Sequence, residues 1–312
     1  ELEHVAKVIC HSGPGVKRYF PIVLNSGEYL DDYDVTPTDI LLAIVAEVGA
    51  ALNAKLGIRL QDSIVTRRLG EIKDYLLSDI EINEAEIPIS EAKVKIQRLK
   101  KDATARAQVR SKLLPQMSSL QDEINVVFAE ARTKLRGIRV PEGEHPYDDF
   151  VLIVDDLEKI QRISGVEEGA RSHQELFIER APQLTGLKAH VIFTVPLALV
   201  RSHGPELHQI YGSEPFVLPM IKVASRTTSA LFVDGQQKLI EIMQKRAGST
   251  PIYHVIVPDA LDWLIRYSGG HVRNLMTFVQ RATTYVSEAP ITLPAAKRAL
   301  NQSVALLSSS IR

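Results

Sequence analysis

Apolar positions recur along this chain in two periods. Leu2, Val5 and Ile9 fall at helical spacing, and His11-Ser12-Gly13-Pro14-Gly15 is a turn signal that ends that helix. Residues 19–24 are an apolar run of strand length, with Pro21 marking a strand start or an edge. The stretch up to Leu56 predicts a helix capped by Asp39 or Thr38. Three more apolar runs, 150–154, 190–195 and 216–223, are separated by helical stretches. Runs that are apolar on both faces predict a buried parallel sheet. From Asp234 onward the period is helical, with helices expected over 236–245, 259–267, 272–287 and 294–307. The pattern therefore gives an α/β part followed by a small all-helical part, joined near 223–234.

Residues 90–136 read differently. Leu113, Met117, Leu120, Ile124 and Val127 step by four, three, four and three, the spacing of a seam between helices. Pro115 lies inside that register and predicts a kink or a fresh start. Between 91 and 112, Lys93, Lys95, Arg98, Lys100, Lys101, Arg106, Arg110 and Lys112 stand against Glu91 and Asp102. The segment predicts an antiparallel helical hairpin inserted into the α/β part, with its basic side facing solvent or a partner. A nucleic-acid surface over 93–112 is one reading. No aromatic residue accompanies the cations, so base stacking is not offered there.

Composition narrows the classes. The chain has 312 residues, 45% hydrophobic and 24% charged, which is globular and long enough for one large domain or two. Its net charge of -1 excludes a basic footprint over the whole surface. Cys10 is the single cysteine, so no intrachain disulfide forms, which fits a reducing compartment. The richest apolar run, from Ile40 to Ala46, is stopped by Glu47 and falls short of the roughly 20 residues of a membrane span. Histidines are scattered without zinc-ligand spacing.

Chemistry concentrates at Val151-Leu152-Ile153-Val154-Asp155-Asp156-Leu157-Glu158. A buried strand ending in two acids places carboxylates at the carboxyl edge of a parallel sheet, where ligands bind in open α/β folds. Such a pair can hold Mg²⁺ and orient an attacking water; an ordinary strand followed by an acidic helix start gives the same letters. Thr194 ends the next apolar run, and Arg273 follows the turn Ser268-Gly269-Gly270-His271. In order and spacing these features resemble the ATPase core of AAA+ proteins and their STAND relatives. The resemblance implies a parallel-sheet P-loop NTPase core over 1–225, the 90–136 insertion, and a helical lid over 226–312. It implies ATP and Mg²⁺ as cofactors, with Asp155 on the metal, Asp156 orienting water as a catalytic residue, and Thr194 and Arg273 sensing the γ-phosphate. It further implies a cytoplasmic, nucleotide-driven oligomer with an effector or partner protein, plausible in bacterial signalling or defence. Alternatives are a DNA-remodelling initiator or transposition ATPase, and a degenerate scaffold that does not hydrolyse. One element departs from the family: no G-x-x-x-x-G-K-[ST] occurs in the sequence. His11–Gly15 lacks the lysine and follows a helix. The resemblance is best satisfied if the P-loop and first strand precede Glu1, which predicts a gap in the sheet; hydrolysis is conditional on that loop.

Overall fold

The computed structural model describes residues 2–10, 16–60, 89–139, 145–160, 172–225, 227 and 230–310. The turn expected at 11–15 lies outside them. The chain divides into two compact units, Glu1–Pro215 and Phe216–Arg312.

The first unit is built on a three-stranded parallel sheet in the order β1 (Tyr19–Asn25), β2 (Asp149–Asp155), β3 (His190–Phe193). Tyr19 pairs with Asp149 and Asn25 with Asp155, and Val151 to Val154 pair with His190 to Phe193. β2 and β3 are direct neighbours, so the expected gap does not lie among these strands. The helix α1 (Leu2–Cys10) covers one face, where Ala6 packs with Val151 and Ile153. The other face carries Phe20, Ile22, Leu24, Phe150, Leu152 and Val154, all buried. Alternation along β1 and β2 thus divides their side chains between two helical layers, whereas β3, expected to be buried on both faces, leaves His190 and Ile192 exposed. Phe150 meets Phe128 edge to face at 5.3 Å between ring centroids.

After the single turn α2 (Ser26–Tyr29), α3 (Pro37–Leu56) runs through the core with Ile40, Leu41, Ile44, Val48 and Leu52 buried. Its N-cap is Thr36, one turn earlier than Asp39 and two residues before Thr38. Asp39 instead occupies the third helical position, where its Oδ2 accepts from the Thr36 amide at 2.8 Å and hydroxyl at 2.7 Å. Gly57 closes the helix in the left-handed conformation, at φ 64°.

The 90–136 segment forms three helices, not the expected two-helix hairpin: α4 (Ile89–Leu99), α5 (Ala103–Leu113) and α6 (Met117–Arg136). Pro115 sits in a 3₁₀ turn, Leu114–Gln116, from which α6 starts afresh. All five seam residues are buried, in the same core as the sheet. The basic side corrects a second expectation, because three of its cations turn inward onto carboxylates. Arg106 Nη2 lies 3.0 Å from Asp31 and 3.2 Å from Asp34. Arg110 lies 2.6 Å from both Asp34 and Asp39, and Lys93 lies 2.9 Å from Glu47. Arg98 and Lys101 remain exposed. α7 (Ala181–Thr185) leads into β3, and α8 (Leu197–Tyr211) follows it, kinked at His203 ahead of Pro205.

The second unit comprises α9 (Val233–Ala247), α10 (Ile252–Val255), α11 (Pro258–Tyr267), α12 (Val272–Thr283) and α13 (Leu293–Ser310). Leu239, Leu261, Leu264, Leu275, Ala296 and Ala299 form its core. Residues 216–223, expected as a buried strand, form none. Phe216 is 88% exposed, and the first pairing in this region is the antiparallel bridge of Ala224 with Leu231. Pro219 removes a ladder donor from the middle of the run, and no described strand lies beside it. Among the described residues no helix is long and apolar enough to cross a membrane.

Candidate functional site

β2 carries an acid at each end, and the two ends are built differently. At the amino end, Asp149 accepts from Arg132 Nε at 2.9 Å on both oxygens, and His190 Nε2 lies 3.9 Å away. That carboxylate ties α6 to the sheet. At the carboxyl end, Asp155 has no cation paired with it among the described residues. Its Oδ1 accepts the Asp156 amide at 2.8 Å.

The chain turns sharply just past β2. Asp156 adopts φ 69°, the left-handed region, and no other non-glycine among the described residues does so. Aspartate tolerates that conformation better than most residues, and its use at a strand end concentrates strain where ligands bind. Leu157, fully buried, anchors the following 3₁₀ turn, Leu157–Lys159. The turn is also tied to β3, because the Leu157 amide donates to Thr194 Oγ1 at 3.0 Å and the Thr194 amide donates to Val154 O at 3.1 Å. Thr194 thereby fixes the acid-bearing turn while its own O–H proton remains a donor.

This geometry gathers Asp155, Asp156 and Glu158, one carboxylate oxygen of each lying within 4.8 Å of the others. Burial raises the Asp155 carboxyl above its ordinary range; the Asp156 amide opposes this, and the charges of Asp156 and Glu158 add to it. Lys159 Nζ neutralises part of the cluster, 2.7 Å from Asp156 Oδ2. Three carboxylates are a hard-oxygen donor set, suited to Mg²⁺, Ca²⁺ or Mn²⁺ and unsuited to soft metals.

The structure thus brings Asp155, Asp156 and Thr194 together. Arg273 belongs to the second unit, where it is exposed in the first turn of α12. The preceding turn needs its glycines: Gly269 and Gly270 have φ of 61° and 83°. A Cβ on Gly270 would stand 1.7 Å from Ile221 O, so the backbone of 221 closes directly over the turn. His271 caps α12, its Nδ1 accepting the Asn274 amide at 3.2 Å.

Glu158 and Lys159 were not singled out as site residues by the sequence. The signal for them was their place one and two residues after a buried Leu157, which forces the chain back toward the strand end. Comparison with known proteins finds no matching family, no matching curated relative and no matching solved structure.

Proposed function

We propose that the carboxyl edge of β2 binds Mg²⁺ with ATP, and that the protein is a nucleotide-driven switch of the AAA+/STAND type. The observation that carries this reading is the convergence of Asp155, Asp156 and Glu158 at the end of the central strand, beside a threonine from the next strand. Asp155 is the first metal-holding residue, since among the described residues no cation forms an ion pair with it and Lys159 pairs with Asp156 instead. The metal, when bound, neutralises phosphate charge. Asp156, held at φ 69°, accepts a proton or hydrogen bond from water. Thr194 offers its O–H proton, and Arg273 offers a guanidinium fork suited to a phosphate. Oligomerisation on nucleotide binding and an effector partner follow from the same reading.

The reading needs a phosphate-cradling loop, and no G-x-x-x-x-G-K-[ST] occurs in residues 1–312, so hydrolysis is conditional on a loop of another kind or source. Asp155→Ala should abolish Mg²⁺-dependent ATP turnover. Asp156→Asn should keep nucleotide binding while slowing turnover. Undiminished turnover in a folded Asp155→Ala variant ends the assignment. The missing Gly-Lys loop also favours a second reading, a non-hydrolysing scaffold. That reading predicts Mg²⁺ binding at the acids with no turnover in any variant.

A further inference from the structure

The net charge of -1 conceals two opposed halves. Residues 1–215 carry 26 Lys and Arg against 33 Asp and Glu, a net of -7; residues 216–312 carry 11 against 5, a net of +6. The asymmetry sharpens toward the end. From Trp263 to Arg312, Glu288 is the only acid against six Lys and Arg.

Two of these cations, Lys297 and Arg298, are displayed on α13. Ala295, Ala296, Ala299, Leu300 and Ser303 are buried, and the opposite side presents Lys297, Arg298, Asn301 and Gln302 to solvent. The small buried residues hold α13 close against its neighbours. Neither exposed cation has an acid partner among the described residues. Lys297 Nζ sits 4.8 Å over the Trp263 ring, and Arg298 Cζ lies 5.7 Å over the Tyr285 ring. A ring face orients a cation without cancelling its charge. Tyr285 Oη also donates to Gln302 at 3.0 Å, fixing the amide beside the arginine. The only ion pair in this unit among the described residues is Lys238 with Glu241, on α9.

We propose that the exposed face of α13 binds the sugar-phosphate backbone of duplex nucleic acid, independently of the nucleotide reading above. Oriented cations and amide donors on an acid-free helix match phosphate oxygens. The aromatic faces are already covered, Trp263 by Lys297 with Tyr267 at 4.5 Å, and Tyr285 by Arg298. The ring faces under Lys297 and Arg298 therefore offer no base stacking, which favours backbone contact over stacking on this face. A membrane surface asks for large apolar side chains, and the centre of this face has cations and amides.

The test uses the full chain and a labelled duplex DNA of about 25 base pairs, titrated between about 50 and 200 mM salt. Binding should weaken linearly in log-log form. Lys297→Gln with Arg298→Gln should remove about 1.8 from the slope, at about 0.9 per phosphate contact. Circular dichroism shows that the variant is folded. Trp263, the single tryptophan, should change its emission when duplex binds. Arg98→Gln with Lys101→Gln, exposed cations of the first unit, should leave the slope unchanged. Absence of salt-dependent duplex binding overturns the proposal. So does an unchanged slope in the Lys297/Arg298 variant, a slope lost only in the Arg98/Lys101 variant, or tighter binding to vesicles with about one-third anionic lipid than to duplex.

Discussion

In the unit Glu1–Pro215, the buried Arg106 meets Asp31 and Asp34; in the unit Phe216–Arg312, Lys297 and Arg298 lie over aromatic faces. Each cation lies in a locally basic stretch of sequence, Arg106 within 91–112 and Lys297 and Arg298 within 263–312. In the first, the charge is consumed in holding α4 and α5 against α3 and the loop before it. In the second, it is oriented and left uncancelled. A cation's function is therefore set by what faces it, and a local count of lysines and arginines cannot distinguish a structural clasp from a binding surface.

The clasp can be broken most severely at Arg106. Its side chain is 6% exposed and donates to Leu99 O at 3.0 Å and Lys100 O at 2.6 Å, besides its two aspartates. Arg106→Ala strands all of them at once. Removing one member of a buried pair costs about 3–5 kcal/mol. Asp31 and Asp34 are 30% and 45% exposed, so water recovers part of the loss and the lower end, about 3 kcal/mol, is expected. Urea denaturation measures it, and a loss under about 1 kcal/mol would show that this clasp is not what binds the helices. Asp39→Ala should come next. It removes the start of α3, typically about 1 kcal/mol, and the pair with Arg110, so about 2 kcal/mol is expected by the same measurement.

These effects could not be read from the sequence. Arg106 and Asp34 are 72 residues apart, and nothing local in either segment names the other. β1 and β2 were legible because each is apolar on the faces that a layered core buries, and β3 was legible from the same letters although its Ile192 stays exposed. Residues 216–223 have the same letters and fail, since a run of apolar residues reports a tendency to be covered and not the presence of a covering strand. At the site, the Asp155-Asp156 pair stood out as acids ending a buried run. The left-handed turn at Asp156 and the Thr194 bond to Leu157 did not, because both are imposed by the packing of Leu157. The cap of α3 lies at Thr36 and not at Thr38 or Asp39 because Thr36 and Asp39 act as a box, in which the acid marks the third helical position and not the cap itself.

The comparison also separates on pH. Burial alone raises Asp34, but hydrogen bonds and charge from Arg110 and then Arg106 outweigh it and hold the carboxyl below its ordinary value. A folded-state value below the unfolded one stabilises the fold above the unfolded value, 3.8, and the benefit is lost as pH falls through the lower folded value. Stability should therefore decline in acid below about pH 4, and Asp34→Asn should flatten that part of the decline. Denaturant midpoints compared between about pH 3 and 7 read this out. If the variant declines as steeply as the parent, the clasp does not contribute to the acid limb.

The smallest stability effect is expected where the charge is left uncancelled. Lys297→Gln with Arg298→Gln removes two cation–ring contacts at exposed positions, each worth about 0.5–1 kcal/mol at most. Glutamine retains a stem that still covers Trp263 and Tyr285, and it relieves mutual repulsion among the uncompensated cations of this unit. The net change should stay within about 0.5 kcal/mol, as for ordinary surface substitutions. The measurement is a urea titration followed by emission from Trp263, which reports this unit directly. A loss above about 2 kcal/mol would make these side chains a clasp of another kind, built on rings where the first unit uses carboxylates. Stability held within the expected range, together with a salt slope toward duplex reduced by about 1.8, would assign their charge to a partner outside the fold.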